Sequence, residues 1–486
     1  MVALASIFKL SVMKKIIHFF TRGMVVMPGF VVVSGFVLIL ASCNKLIQVP
    51  SNAGGQVVTS QVFTDSASAT AGVLGLYTAS PLVSQWPEQY SGLSGDELDY
   101  NAASTVQLQF YRDSMSAGNS VTTGTAASFF TYYGNNAIYQ ANAAIAALSV
   151  DSVISIPARN QLIGECEVVR SLYYFLLVNF FGPVPVVTST SYATTETYGR
   201  ASVDSVYNQI GKDLLDAGAK LSAVYPSAGH QRINRYAAFA LLARVYLYQK
   251  QWSQAETMAD SIISSGLYSL PALNNVFLDK SPEAIWQIGA SNTFSPGAAP
   301  GGSPLLPYFS FFQPNYSLTA VQRAAFEPGD QRAGNWVNMS IVNGSTYYYP
   351  YKYKNNGIAN VNSTPEDLMV FRLAEIYLIR AEARAYLGDL GGAMSDVNMI
   401  RTRAGLGAAT FNSFNDALTG ILHERQTELF CEWGHRWFDL KRNDSINSVL
   451  AREKPQYWPA DGHTALYPIP FAELQRNQNL IQNPGY

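Results

Sequence analysis

Formal charge is scarce in this sequence: Asp, Glu, Lys and Arg supply 14% of its 486 residues, against roughly 25% in an ordinary soluble domain. The 32 cations nearly balance the 34 anions, for a net charge of -2. No basic field exists to collect phosphates, and nucleic acid is excluded as a partner class. Cysteine is rarer, three residues in all, which excludes a disulfide-built scaffold. Five histidines leave little material for a metal centre. Apolar and aromatic residues are what the chain has, 48% and 13%, enough for a large core and too many for disorder.

Residues 1–42 hold Lys9, Lys14, Lys15 and Arg22 and no acid, and run almost continuously apolar from Met24 to Ala41. A cationic segment before an apolar one is the pattern of a secretory signal peptide. It closes on Leu40-Ala41-Ser42-Cys43, which resembles the lipobox of bacterial lipoproteins, whose cysteine is acylated and becomes the first residue. A transmembrane helix is the competing reading, because about 18 apolar residues just span a bilayer; length and flanks favour the signal. Cleavage removes four cations and no anion, leaving 28 against 34 and a net charge of -6. Acyl chains on Cys43 then anchor the body without a polybasic patch. Residues 43–61, polar and rich in Gly and Ser, read as a flexible lipidated tether. Cys166 and Cys431 fall in apolar helical patterns and read as buried free thiols, with a disulfide left open by an oxidising envelope.

From 62 onward the dominant signal is helical. Leu162, Cys166, Val169, Tyr173, Leu176 and Phe180 recur at steps of four and three on one helix face, and Gly182-Pro183 stops it. Similar faces predict helices over 67–79, 126–148, 203–221, 235–248, 254–264, 365–387, 393–403 and 417–433. Two hairpins repeat in detail: Leu242-Ala243-Arg244-Val245-Tyr246-Leu247 before Trp252 and Ala255, and Glu382-Ala383-Arg384-Ala385-Tyr386-Leu387 before Leu390 and Ala393. Small residues at fixed positions let paired helices approach, a loose tetratricopeptide pattern. Between 267 and 364 the texture changes to a short strand at 284–288 and long Gly-, Pro- and aromatic-rich chain, the composition of ordered functional loops.

No catalytic motif emerges. His423-Glu424 begins like a zinc-protease helix, but Thr427 stands where the second imidazole belongs. No nucleophile elbow, Walker loop or dinucleotide glycine pattern is present, no metal or cofactor is called for, and nothing marks the carboxylate pair of a glycosidase. Glu424, Glu428 and Glu432 at steps of four would repel without interleaved cations. Arg425, Arg436 and Arg442 are available, so the cluster reads as a structural ion network tying the C-terminal segment to the scaffold.

Three blocks carry a family resemblance. Gly164-Glu165-Cys166-Glu167-Val168-Val169-Arg170-Ser171-Leu172-Tyr173-Tyr174-Phe175, closing with Phe181-Gly182-Pro183-Val184-Pro185, resembles the helix and turn of SusD/RagB-like outer-membrane nutrient-binding lipoproteins. Glu424-Arg425-Gln426-Thr427-Glu428-Leu429 with Glu432, Arg436-Trp437-Phe438-Asp439-Leu440 and Arg442 is similar to their second block, and Tyr467-Pro468-Ile469-Pro470 through Asn483-Pro484-Gly485-Tyr486 to their ending. The resemblance spans the mature chain and departs from the family at Asn44 and Lys45, where an acidic run often follows the lipidated cysteine in surface-exported members. It implies a mostly α fold in which tetratricopeptide-like helix pairs support an irregular ligand-facing region with minor β. One domain then runs over 62–486, with scaffold at 62–266 and 365–450, ligand-side loops at 267–364 and a C-terminal segment at 451–486. It also implies a non-catalytic protein, lipid-anchored at the outer membrane, that captures glycan for a SusC-type TonB-dependent transporter. Peptide capture in the same kind of importer is the alternative, and an anchored glycoside hydrolase a lesser one.

Sugar recognition asks for flat exposed rings against apolar sugar faces and for polar groups that bond the hydroxyls. Loop aromatics beside polar residues are therefore the candidates: Trp86, Tyr90, Asp96, Glu97 and Tyr100 in the stretch after the first helix, Phe294, Tyr308, Phe311, Phe312 and Tyr316 in the long loop, and Trp336 near Asp330 and Arg332. Trp252, Trp433 and Trp437 sit on helical faces and read as core.

Overall fold

Helical periodicity becomes a stack of paired helices. A computed structural model describes residues 62–77, 86–116, 118, 137–289, 297–299, 303–357 and 364–486; the signal segment 1–42, Cys43 and the tether 43–61 lie outside them. The chain runs α1 (Ser66–Tyr77), α2 (Trp86–Ser94), β1 (Leu98–Tyr100), α3 (Thr105–Tyr111), α4 (Ile138–Val150), α5 (Ile156–Phe181), α6 (Val203–Lys220), α7 (Arg235–Tyr248) and α8 (Trp252–Ile263). It continues through β2 (Ala284–Ile288), β3 (Tyr316–Leu318), α9 (Gln331–Trp336), β4 (Val337–Val342), β5 (Ser345–Pro350) and β6 (Leu368–Arg372). Last come α10 (Leu373–Tyr386), α11 (Leu390–Arg403), α12 (Phe414–Glu428), α13 (His435–Arg442), α14 (Ile446–Glu453) and α15 (Phe471–Arg476). Neighbours pack in chain order from α4 through α8, then α8 on α10, α10 on α11 and α11 on α12. Because α5 also meets α7, α7 meets α10 and α10 meets α12, these four form one layer, and α4, α6, α8 and α11 the other.

Local chemistry sets the helix starts. Ser202, Asn234, Asp389 and Ser413 each accept a backbone N–H of the first turn of α6, α7, α11 and α12, satisfying a donor the helix itself cannot. The two repeated hairpins are α7–α8 and α10–α11, and they meet: Trp252 stacks on Tyr386 with ring centroids 3.8 Å apart and planes 2° from parallel.

Three antiparallel two-stranded ribbons supplement the helices: β1 with β3, β2 with β6 and β4 with β5. Three expectations change here. The segment 365–387 is not one helix, because 368–372 pairs with β2 as strand β6 and α10 starts only at Leu373. Leu368–Arg372 is buried on both faces, and a continuously apolar run gives no period by which to tell strand from helix. Residues 86–94, expected as loop, form a helix because Trp86, Tyr90 and Leu93 recur at helical spacing and all are buried. The amphipathic helix expected at 158–181 is instead buried nearly all round from Leu162 to Phe181, since α1, α4, α6 and α7 all pack on it. Its internal charges are paired: Arg170 forks onto Asp213 at 2.8 Å, and Glu165 accepts Tyr77 Oη at 2.7 Å and the Arg232 guanidinium.

Candidate functional site

The long loop 303–318 is built to display rings. Pro307 and Pro314 cannot donate to a ladder or continue a helix, and only at Tyr316 does the chain become strand, paired with β1 through Leu98↔Leu318, Asp99↔Ser317 and Tyr100↔Tyr316. Asn101 Nδ2 donates to Pro314 O at 3.1 Å and Ser317 Oγ at 2.9 Å, and Gln313 Nε2 returns a bond to Asn101 O at 2.7 Å. At the other end Asn356 Nδ2 donates to the carbonyls of Pro307 and Tyr308. Between these clamps Tyr308 and Phe311 stand 65% and 64% exposed, with Phe309 and Phe312 partly so. Phe309 lies parallel to Phe311 at 5.3 Å, and Phe312 meets both edge-on. Three packed phenylalanine rings and the exposed Tyr308 next to them in sequence, all facing water, depart from the usual burial of aromatic surface, and such patches mark binding sites.

The other candidates divide. Tyr100 is half-buried against Tyr316, ring centroids 5.5 Å apart. Tyr316 itself is buried and donates to Gln89 at 2.9 Å. Trp86 and Tyr90 are buried in a cluster with Phe110, Phe180 and Tyr467. Asp96 is buried under the forked guanidinium of Arg436. Trp336 is 0% exposed, its indole N–H on Leu273 O at 3.0 Å and its ring beside Lys352, Arg372 and Arg403. Rings so enclosed offer no face to a sugar. Phe312, expected, and Phe309, outside the expected set, complete the patch, and Phe294 lies outside the described residues; the run Tyr308-Phe309-Ser310-Phe311-Phe312 between two prolines is the signal for Phe309.

Glu424 and Glu428 on α12 and Glu432 in the turn beyond its end form a closed network, but its cations differ from those expected. Arg332 binds Asp330, Glu424 and Glu428. Arg372 reaches Glu283 and Glu432 at 2.8–2.9 Å and also Glu428, while Arg403 and Lys352 complete the shell. Arg425 and Arg442 instead hold Asp439, and Arg442 also Glu382. Burial pushes the Glu428 and Glu432 carboxyls up, but the surrounding cations outweigh it and both lie below the usual range. Ionised, acceptor-saturated and buried, they are not placed for acid–base work. The network joins α12 to β2, β6, α9 and α11; the C-terminal segment is held elsewhere. Tyr467 stacks on Phe180 and donates its backbone N–H to Phe180 O at 2.8 Å. Asn483 donates to Phe181 O and Tyr467 O, and Arg200 bridges Asn483, Ile481 O and Phe181 O.

Two further buried carboxyls hold an awkward turn. Cys431 and Trp433 have positive φ, 52° and 46°, and Glu97 and Glu88 accept their backbone N–H groups at 2.9 and 3.1 Å. Burial pushes both carboxyls up to about 7. Cys166 and Cys431 are buried free thiols. Among the described residues no grouping of His, Cys, Asp and Glu could hold a metal ion, and no helix is long and apolar enough to cross a membrane. A cleft of about 440 Å³ lies between α4, α5 and the C-terminal tail, with Leu177, Val184 and Val187 among its apolar walls and Glu196, Glu473 and Arg476 among its polar ones. None of Tyr308, Phe309, Phe311 and Phe312 lines it, whereas the half-exposed Tyr139 does.

Comparison with known proteins converges on one family. A model described as SusD family matches residues 328–486, and one described as starch-binding associating with outer membrane matches 77–247. SusD-like protein P25 of Formosa agariphila is 25% identical over 415 residues, 72% of this chain and 78% of that one. Starch-binding protein SusD of Bacteroides thetaiotaomicron is 27% identical over 169 residues, 32% of this chain and 28% of the relative. Among solved structures, a SusD superfamily protein of Bacteroides vulgatus superposes with TM-score 0.72 at 26% identity, covering 87% of this chain and all of that one. A laminarin binding SusD-like protein superposes with TM-score 0.70 at 23% identity, covering 86% and 99%.

Proposed function

The chain belongs to the SusD/RagB family, and from that premise we propose that it is a non-catalytic glycan-binding lipoprotein of the outer membrane, which holds oligosaccharide on the ring cluster at 308–312 and passes it to a SusC-type TonB-dependent transporter. The observation that carries the binding part is the exposed, clamped set Tyr308, Phe309, Phe311 and Phe312. Flat rings fixed before the ligand arrives lose little conformational freedom on binding, and the amides and hydroxyls beside them, Asn101, Ser310, Gln313 and Tyr308, are of the kind that bond sugar hydroxyls. The description of the matching family model supports the outer-membrane setting; attachment through Cys43 and delivery to a transporter rest on the sequence resemblance.

The binding reading is tested by Tyr308→Ala with Phe311→Ala. At about 1 kcal/mol per stacked ring, the double variant weakens retention on polysaccharide gels roughly 10- to 30-fold at unchanged melting temperature. Unchanged retention would remove the patch, and binding of oligopeptides in place of oligosaccharides by calorimetry would replace the glycan reading with the peptide one. Cys43→Ala abolishes membrane attachment; a variant still sedimenting with membranes would refute the acyl anchor. Extraction of the outer membrane without a co-purifying large β-barrel would remove the transporter.

A further inference from the structure

Charge in this protein is segregated from the rings. No Asp, Glu, Lys or Arg occurs between Glu283 and Arg323, between Asp99 and Arg112, or between Arg332 and Lys352, and these stretches contain the ring loop, the strand residues that clamp it and the β4–β5 ribbon packed beside β3. The scaffold behind them is dense with ion pairs instead. The few charged groups on flanking elements are mostly engaged. Asp99 accepts Tyr111 Oη at 3.2 Å, the Arg323 guanidinium lies over the Tyr348 ring at 4.8 Å, and Lys354 binds Asn274. Arg112 is exposed at the end of α3.

We infer that the ring surface selects uncharged glycans and discriminates against carboxylated or sulfated ones; this rests on the glycan reading above and sharpens it to a substrate class. An anionic sugar needs a guanidinium or ammonium opposite each acidic group, in forked or point contact. Here its carboxylate or sulfate would exchange water for aromatic carbon without a compensating cation, a costly transfer. The faces of Phe309, Phe311 and Phe312 carry the negative end of the ring quadrupole, which adds repulsion. A neutral sugar loses nothing, because its C–H faces cover ring carbon and its hydroxyls meet uncharged amides and hydroxyls.

The test uses the full mature chain in affinity gels carrying starch, laminarin, galactomannan or xylan, each also in carboxymethylated or sulfated form, at 50 and 500 mM NaCl. The expected result is retention by at least one unmodified polymer, at least tenfold weaker retention by its charged derivative, and less than a twofold change with salt. Arg323→Ala changes that retention by less than twofold. Stronger retention on a charged form, steep salt dependence, or loss of binding in Arg323→Ala would each overturn the charge inference while leaving glycan binding intact. Absence of retention on every polymer would overturn the glycan reading itself.

Discussion

Arg372 shows how much one side chain governs here. Its guanidinium, buried at the end of β6, bonds Glu283, Glu428 and Glu432 and the Glu428 carbonyl. Replacing it by Met leaves three carboxylates with their charge partly uncompensated in the interior, so Arg372→Met lowers unfolding free energy by about 3–5 kcal/mol, read from urea denaturation. The residue scale is also where sequence reading was weakest. Trp336 with Asp330 and Arg332 has the composition of a sugar-contacting patch, yet Arg332 points inward to Glu424 and Glu428 and the indole fills the space beside the network. Asp96 misled in the same way, its carboxylate bound to an arginine 340 residues away. Local sequence does not reveal a partner so distant. The exposure of Tyr308 and Phe311 is legible because two prolines, the absence of helical period and the density of rings all argue locally for a displayed loop.

Elements were legible wherever a face repeats. Helices α6, α7, α8 and α11 fall within three residues of the spans that the 3.6-residue period predicts, and the two tetratricopeptide-like hairpins pack as that motif demands. The strand at 368–372 was missed because burial on both faces erases the period. The motif at the end of the chain was read as a motif without a location. In the structure it closes over the Phe181-Gly182-Pro183 turn, so two blocks far apart in sequence form one joint. Asn483 is its pin, donating to Phe181 O and Tyr467 O. Asn483→Ala leaves Phe181 O to Arg200 alone and removes this donor from Tyr467 O, and costs about 1–3 kcal/mol. Faster proteolysis near the C-terminus with the ring-loop affinity unchanged would check it; equal proteolysis would show that the tail is held without that pin.

At the scale of the whole molecule, burial of charge makes stability a function of pH with a calculable sign. Burial lifts Glu88, Glu97 and Glu366 to about 7, and lifts Asp113 to about 7 against the opposing pull of Lys454. Their ordinary values are 4.5, or 3.8 for Asp113, so between roughly pH 4.5 and 7 the folded chain binds more protons than the unfolded one, and stability from these groups rises as pH falls. His435, His230 and His423 act oppositely, since burial lowers all three and the unfolded chain takes up their protons below about 6.5. Glu167, lifted by burial to about 8, joins the carboxyls, so these groups favour the fold from about pH 8 downward and the imidazoles oppose them below about 6.5. Glu428, Glu432 and Asp439 lie below their ordinary values because Arg and Lys surround them; they stabilise the fold above about pH 4.5 and lose that contribution as pH falls through their depressed values. The melting temperature therefore climbs from pH 7.5 to about 6, flattens toward 5 and drops below 4. Glu97→Gln keeps an acceptor for the Cys431 N–H while removing a titrating group, so it stabilises the protein at pH 8 and does nothing at pH 5. A melting curve for that variant displaced equally at both pH values would show that Glu97 carries its ordinary pKa and that the turn at 431–433 is not held by a protonated carboxyl at low pH.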